Sequence, residues 1–214
     1  MKKKKRLSIR KITIFLLLLV VVIGGCVLAF NKFSSGKKTT KEVQDVDSIE
    51  GYDYTLKDNA TKYYKSLFEE LKKTLEADDI DEEKYAELVA QMFIADFFNL
   101  DNKVSKSDVG GTQFVYSNYV NDFSKYASDS MYKSVESDVY GDRDQDLPVV
   151  AEVTVENKGN EAYTYGENTD ENAYRMSFEI EYDDDLGYQT SGELIIIHNG
   201  NKLEVASMSE GSSE

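Results

Sequence analysis

Tyr174-Arg175-Met176-Ser177-Phe178-Glu179-Ile180-Glu181-Tyr182 alternates one apolar with one polar residue along its whole length. A period of two puts Tyr174, Met176, Phe178, Ile180 and Tyr182 on one face of an extended strand and the polar set on the other, so the segment reads as a half-buried β-strand. The same period holds after Pro148, where Val149, Ala151, Val153 and Val155 alternate with Val150, Glu152, Thr154 and Glu156. Downstream, the turn Asp183-Asp184-Asp185-Leu186-Gly187 leads into a strand over residues 188–197. Asn199-Gly200 then marks a tight hairpin before Leu203 and Val205.

Upstream the period becomes helical. Tyr64, Leu67, Phe68, Leu71 and Leu75 recur at spacings of three and four, which predicts an amphipathic helix with one buried stripe. After the acidic break Asp78-Asp79-Ile80-Asp81, Asp81 is a fair N-cap for a second helix starting at Glu82. That helix is apolar on two faces, with Tyr85, Leu88, Val89 and Met92 on one and Ala86, Ala90, Phe93 and Phe97 on the next, so it should be the most buried. Gly110-Gly111 punctuates the following loop. Ser117 then caps a predicted third helix carried by Tyr119, Phe123, Tyr126, Ala127, Met131 and Val135 and closed near Gly141. Helices first and antiparallel strands afterwards define an α+β fold, about three helices packed on a sheet of about four strands.

Residues 12–30 carry no charge over 19 positions, enough to cross a hydrocarbon core of roughly 30 Å as a helix. Residues 1–11 hold seven positive charges against four in the flank that follows, which predicts a cytoplasmic N-terminus, a single-pass anchor and a domain outside the membrane. Ile23-Gly24-Gly25-Cys26 also looks like a lipoprotein cleavage box with Cys26 as the lipidated residue. Val27-Leu28-Ala29-Phe30 continues the apolar run past that cysteine, which favours a retained helix. Residues 31–57 are polar and without sustained period, a linker; residues 58–208 form the domain and 209–214 a disordered tail.

After Lys41 the chain carries 40 acidic against 14 basic residues, a net of −26. Such a surface repels nucleic acid and anionic lipid, whose recognition depends on Lys and Arg neutralising phosphates. Cys26 is the only cysteine, so no intramolecular disulfide holds the domain, whose core must come from its apolar residues. Tyr and Phe make up 25 of the 214 residues and supply large apolar area without any Trp.

Chemistry-bearing motifs are sparse. His198 is the only histidine, and no Ser-x-Gly elbow or reactive thiol accompanies it, so a structural role is expected. Asp142-Arg143-Asp144-Gln145-Asp146 starts like a calcium loop, but Leu147 stands where Gly is needed and Val153 where the bidentate Glu belongs, leaving a solvated turn. Asp183-Asp184-Asp185 reads as a charged hairpin tip. Asp96, between Ala95 and Phe97 on the most apolar helix, is the best single polar candidate; the expectation is a surface-facing carboxylate, with a raised pKa marking a site if it is buried. Tyr85, Tyr126, Tyr174 and Tyr182, with Asp96, are the candidate pocket residues between helices and sheet. No catalytic group, metal ligand or cofactor is assigned.

A basic tail, one membrane helix, a linker, a helical first half with an aromatic second helix and a long-stranded antiparallel second half resemble nuclear-transport-factor-2-like ectodomains. Among these the layout is similar to the bitopic assembly subunits of type IV secretion and Gram-positive conjugation machines. The resemblance covers roughly residues 58–208 and rests on element order, so no functional residue is carried over. It implies a curved sheet wrapping helices into a cone and a non-catalytic role in contacts with other envelope proteins or with itself. The expected function is a membrane-anchored extracytoplasmic interaction or assembly subunit; the alternative is a small-ligand-binding module. The acidic ectodomain is a departure from the family pattern.

Overall fold

Three helices, a four-stranded antiparallel sheet and a short N-terminal hairpin make up residues 42–210, the part of the chain that the computed structural model describes. The apolar run 12–30 and Cys26 lie outside the described residues. No helix within them is long and apolar enough to cross a membrane.

Helix α1, Lys62–Leu75, buries the predicted stripe Tyr64, Leu67, Phe68, Leu71 and Leu75, and Thr61 caps it by accepting the Tyr64 N–H. Helix α2, Glu82–Phe97, starts behind the Asp81 cap as expected and buries ten of its residues. Helix α3, Val120–Asp129, is shorter than its apolar spacing predicts and begins after Tyr119 without a side-chain cap, so Ser117 does not start it. Its chain breaks at Ser130, where φ −117° and ψ −97° leave the helical region. Tyr132 then turns into the core, donating its hydroxyl to the Phe97 carbonyl at 2.5 Å.

The sheet is a meander, β3-β4-β5-β6, formed by Val150–Tyr165, Asn168–Tyr182, Ser191–Asn199 and Lys202–Glu210. In β4 the alternation is realised: Tyr174, Met176, Phe178 and Ile180 are buried. In β3 it is not. A bulge between Val150 and Glu152 shifts the parity, so Val150 joins Val153 in the core in place of Val149 and Ala151. The Asn199-Gly200 hairpin forms with Gly200 at φ 66° and Asn199 opposite Lys202.

Two stretches read as linker and tail are structured. Asp45–Ile49 and Tyr54–Lys57 pair as the hairpin β1-β2, and Tyr54 is fully buried. A ring of hydrogen bonds fastens it: the Tyr54 hydroxyl donates to the Leu203 carbonyl, the Leu203 N–H donates to Tyr85, and Tyr85 completes the circle to Tyr54 at 2.8 Å. The Gln113 amide also pairs with both the N–H and the C=O of Thr55. Four residues of β2 are too few to show a period, and the partners of Tyr54 and Thr55 lie 31 to 149 positions away. At the other end, Ser209 and Glu210 extend β6 opposite Glu193 and Gly192.

Candidate functional site

Two hollows lie between α3 and β6. One, of 320 Å³, is lined by Val205 to Met208 of β6, by Tyr119, Asp122, Phe123 and Tyr126, and by Phe93 beneath. The next, of 410 Å³, continues along Met208, Ser209 and Glu210 of β6 and along Phe123 to Met131, with Phe97 and Phe98 as its floor. Phe123, Tyr126 and Met208 belong to both, so the two form one groove that follows β6 and α3 in the same sequence direction. Its floor is a packed aromatic cluster: Phe93 and Phe97 stack at 5.7 Å and Phe123 lies 5.2 Å from Phe97. Tyr126, 76% exposed, stands over the groove.

A second arrangement surrounds His198. Its Nδ1 lies 2.8 Å from Asp170 Oδ2, its Nε2 lies 3.1 Å from Glu82 Oε1, and the Tyr174 hydroxyl donates to the same Glu82 oxygen at 2.9 Å. Partial burial works against a charged ring, but the two carboxylates outweigh it and hold the His198 pKa above its ordinary value. The hydrogen bond from His198, then that from Tyr174, holds Glu82 below the usual carboxylate range. Burial and the bond to Glu82 push Tyr174 up to about 12. With both ring nitrogens directed at carboxylates, the imidazole links the start of α2 to β4 and β5. No three His, Cys, Asp or Glu side chains are placed to hold a metal ion among the described residues.

The third is a polar hollow of 120 Å³ between β2, the start of α1, the end of α2 and the loop after it, lined by Lys57, Tyr64, Asp96, Lys103 and Asp108 among others. Asp96 does not face the surface as expected: its carboxylate is 23% exposed and receives the ammonium of the buried Lys103 at 2.5 Å and the Gly111 N–H at 2.7 Å. Burial would raise its pKa, but Lys103 and the Gly111 amide prevail and hold it below the usual carboxylate range, opposite to the shift that would mark a general acid. The approach is tight, since a Cβ on Gly110 would fall 2.1 Å from the Asp96 carbonyl oxygen.

The five candidate pocket residues therefore divide. Tyr85 and Glu82 line a 140 Å³ hollow beside His198, and Tyr174 reaches the same Glu82. Asp96 sits at the far end of α2, Tyr126 stands on the groove, and Tyr182 donates to the Gln189 carbonyl at 2.7 Å. They do not line one cavity. The Asp142–Asp146 turn is bolted by Arg143, which donates to the carbonyls of Lys103 and Asp101. Nothing local in the sequence marks Glu82 and Asp170, 116 and 28 positions from the histidine, and Met208 lies next to the expected tail. The signal in β6 is Met208 itself, an apolar residue set between Ser207 and Ser209.

No family model, curated protein or solved structure matches this chain.

Proposed function

We propose that this chain is a non-catalytic interaction subunit of a bacterial envelope assembly, anchored by the helix of residues 12–30, with its domain outside the membrane and a basic segment of a partner protein docked in the α3-β6 groove. The nuclear-transport-factor-2-like, cone-like arrangement belongs to the same proposal. The observation that carries it is the groove itself, floored by the packed aromatics Phe93, Phe97 and Phe98 and overhung by the exposed Tyr126. Charge chooses the occupant. A net of −26 after Lys41 repels a second copy of the domain and attracts a Lys- and Arg-bearing segment, and Asp122 and Glu210 flank the groove to receive it. The small-ligand alternative draws on the 120 Å³ hollow, whose Asp96 and Lys103 already satisfy each other.

The test places a photo-crosslinking phenylalanine analogue at Tyr126, at Met208 and, as a control away from the groove, at the exposed Val46, in the full chain in its native membrane. The expected result is adducts from Tyr126 and Met208 that map to one basic segment of one envelope protein, and none from Val46. Adducts only to a second copy, or equal yields from all three positions, would refute it.

A further inference from the structure

The two edges of the sheet are built differently. The β3 edge is closed: its register shifts at three places, its outer residues include Glu152, Glu156 and Lys158, and both backbone groups of Val153 are engaged by Tyr63, with Gln91 also donating to its carbonyl. Bulges and charges of this kind are how sheets keep other strands away. Between Val205 and Glu210 the β6 edge carries no charge, and no described residue pairs with it. At Val205 itself the Tyr116 N–H donates to the carbonyl at 2.9 Å, and Val115 lies parallel to Val205 for a single bridge before the chain turns away into α3. From residue 206 to 210, no described residue outside β5 hydrogen-bonds to the β6 backbone. Ala206-Ser207-Met208-Ser209 carries no charge.

This open stretch is the wall of the groove. Five residues of strand span roughly 17 Å, and the two hollows follow them in order. Resting on the docking reading above, we infer that the partner's segment adds to β6 as a fifth strand, taking up the line that Val115 begins and leaves. Every second side chain of that segment enters the aromatic groove, and the backbone supplies the hydrogen bonds that β6 does not receive from the described residues. The preferred sequence therefore alternates apolar with basic residues, the apolar ones facing Phe97 and Phe123, the basic ones answering Asp122 and Glu210. Recognition through the main chain makes spacing and charge matter more than the identity of each apolar residue.

The probe is a nine-residue peptide alternating Val with Lys, added to the full chain in detergent, with binding read by fluorescence anisotropy and backbone protection by hydrogen exchange. Two analogues, N-methylated at the odd or at the even positions, each remove the donors of one peptide edge. Expected results are slowed exchange confined to residues 206–210, no binding of a Val/Glu peptide, and loss of about tenfold or more in affinity for one N-methylated analogue but not the other. Ser209→Lys, at an exposed edge position, should weaken the Val/Lys peptide without affecting folding. Equal binding of both N-methylated analogues would overturn strand addition while leaving the groove as a docking site. No binding of the Val/Lys peptide, or protection elsewhere, would overturn it as well, whereas failure of the Tyr126 crosslinks would remove the docking reading beneath it.

Discussion

Asp96→Asn should be among the most damaging single-atom changes available in this domain. Lys103, 5% exposed, has its ammonium 2.5 Å from Asp96 Oδ1, while Oδ2 takes the Gly111 N–H. An asparagine keeps one acceptor and turns an NH2 group toward the second donor, so either the ammonium or the Gly111 amide loses its partner. Removing one member of a buried pair costs about 3–5 kcal/mol, and the 23% exposure of Asp96 argues for the lower end, about 3 kcal/mol. Lys103→Met is milder, about 1–2 kcal/mol, because the remaining carboxylate reaches water and keeps the Gly111 N–H. The double variant should recover about 2 kcal/mol relative to the sum of the singles. Urea unfolding of the four proteins measures the cycle, and thermal melting should place Asp96→Asn roughly 6–12 °C below the parent. A cost below about 1 kcal/mol for Asp96→Asn, or equal costs for the two singles, would show that Lys103 finds water or another acceptor and would refute the argument.

Two further outcomes follow from other parts of the core. Because the folded pKa of His198 lies above its unfolded value of about 6.5, its contribution is complete below pH 6.5 and is lost as pH rises through the folded value; the lowered Glu82 adds stability above about pH 4.5 that acid removes. Stability measured across this range should therefore decline on the alkaline side in the parent and stay level there in His198→Gln, and parallel curves would refute the link. Tyr54→Phe opens the ring with Tyr85 and Leu203 and leaves a buried carbonyl without its donor, at about 1–3 kcal/mol by urea titration; an unchanged midpoint would mean the hydroxyl is dispensable.

What could be read from sequence was whatever short-range periodicity controls. The five-residue stripe of α1, the Asp81 cap and the alternation of β4 are local statements, and the structure realises each of them. Long-range packing decided the rest. Tyr54 looks like a linker residue until Tyr85 and Leu203 are brought to it, and one extra residue near Ala151 reverses the faces of early β3 without altering its composition. Tyr126 fits the helical period of α3 and still points to solvent, because the helix stops short and Tyr132, from beyond its end, fills the core. The groove was not legible for a related reason: it is a gap between elements, and a gap has no residues of its own.

The contrast between the two sheet edges also limits how this molecule can associate. Open-ended polymerisation through strands needs each unit to offer a donor edge and an acceptor edge, so that every addition exposes a fresh one. Here bulges, charged side chains and the Tyr63 and Gln91 contacts occupy the β3 side. An added strand on β6 would therefore end the series at one step, giving a complex of defined stoichiometry from an element that in a less guarded sheet would seed a fibre.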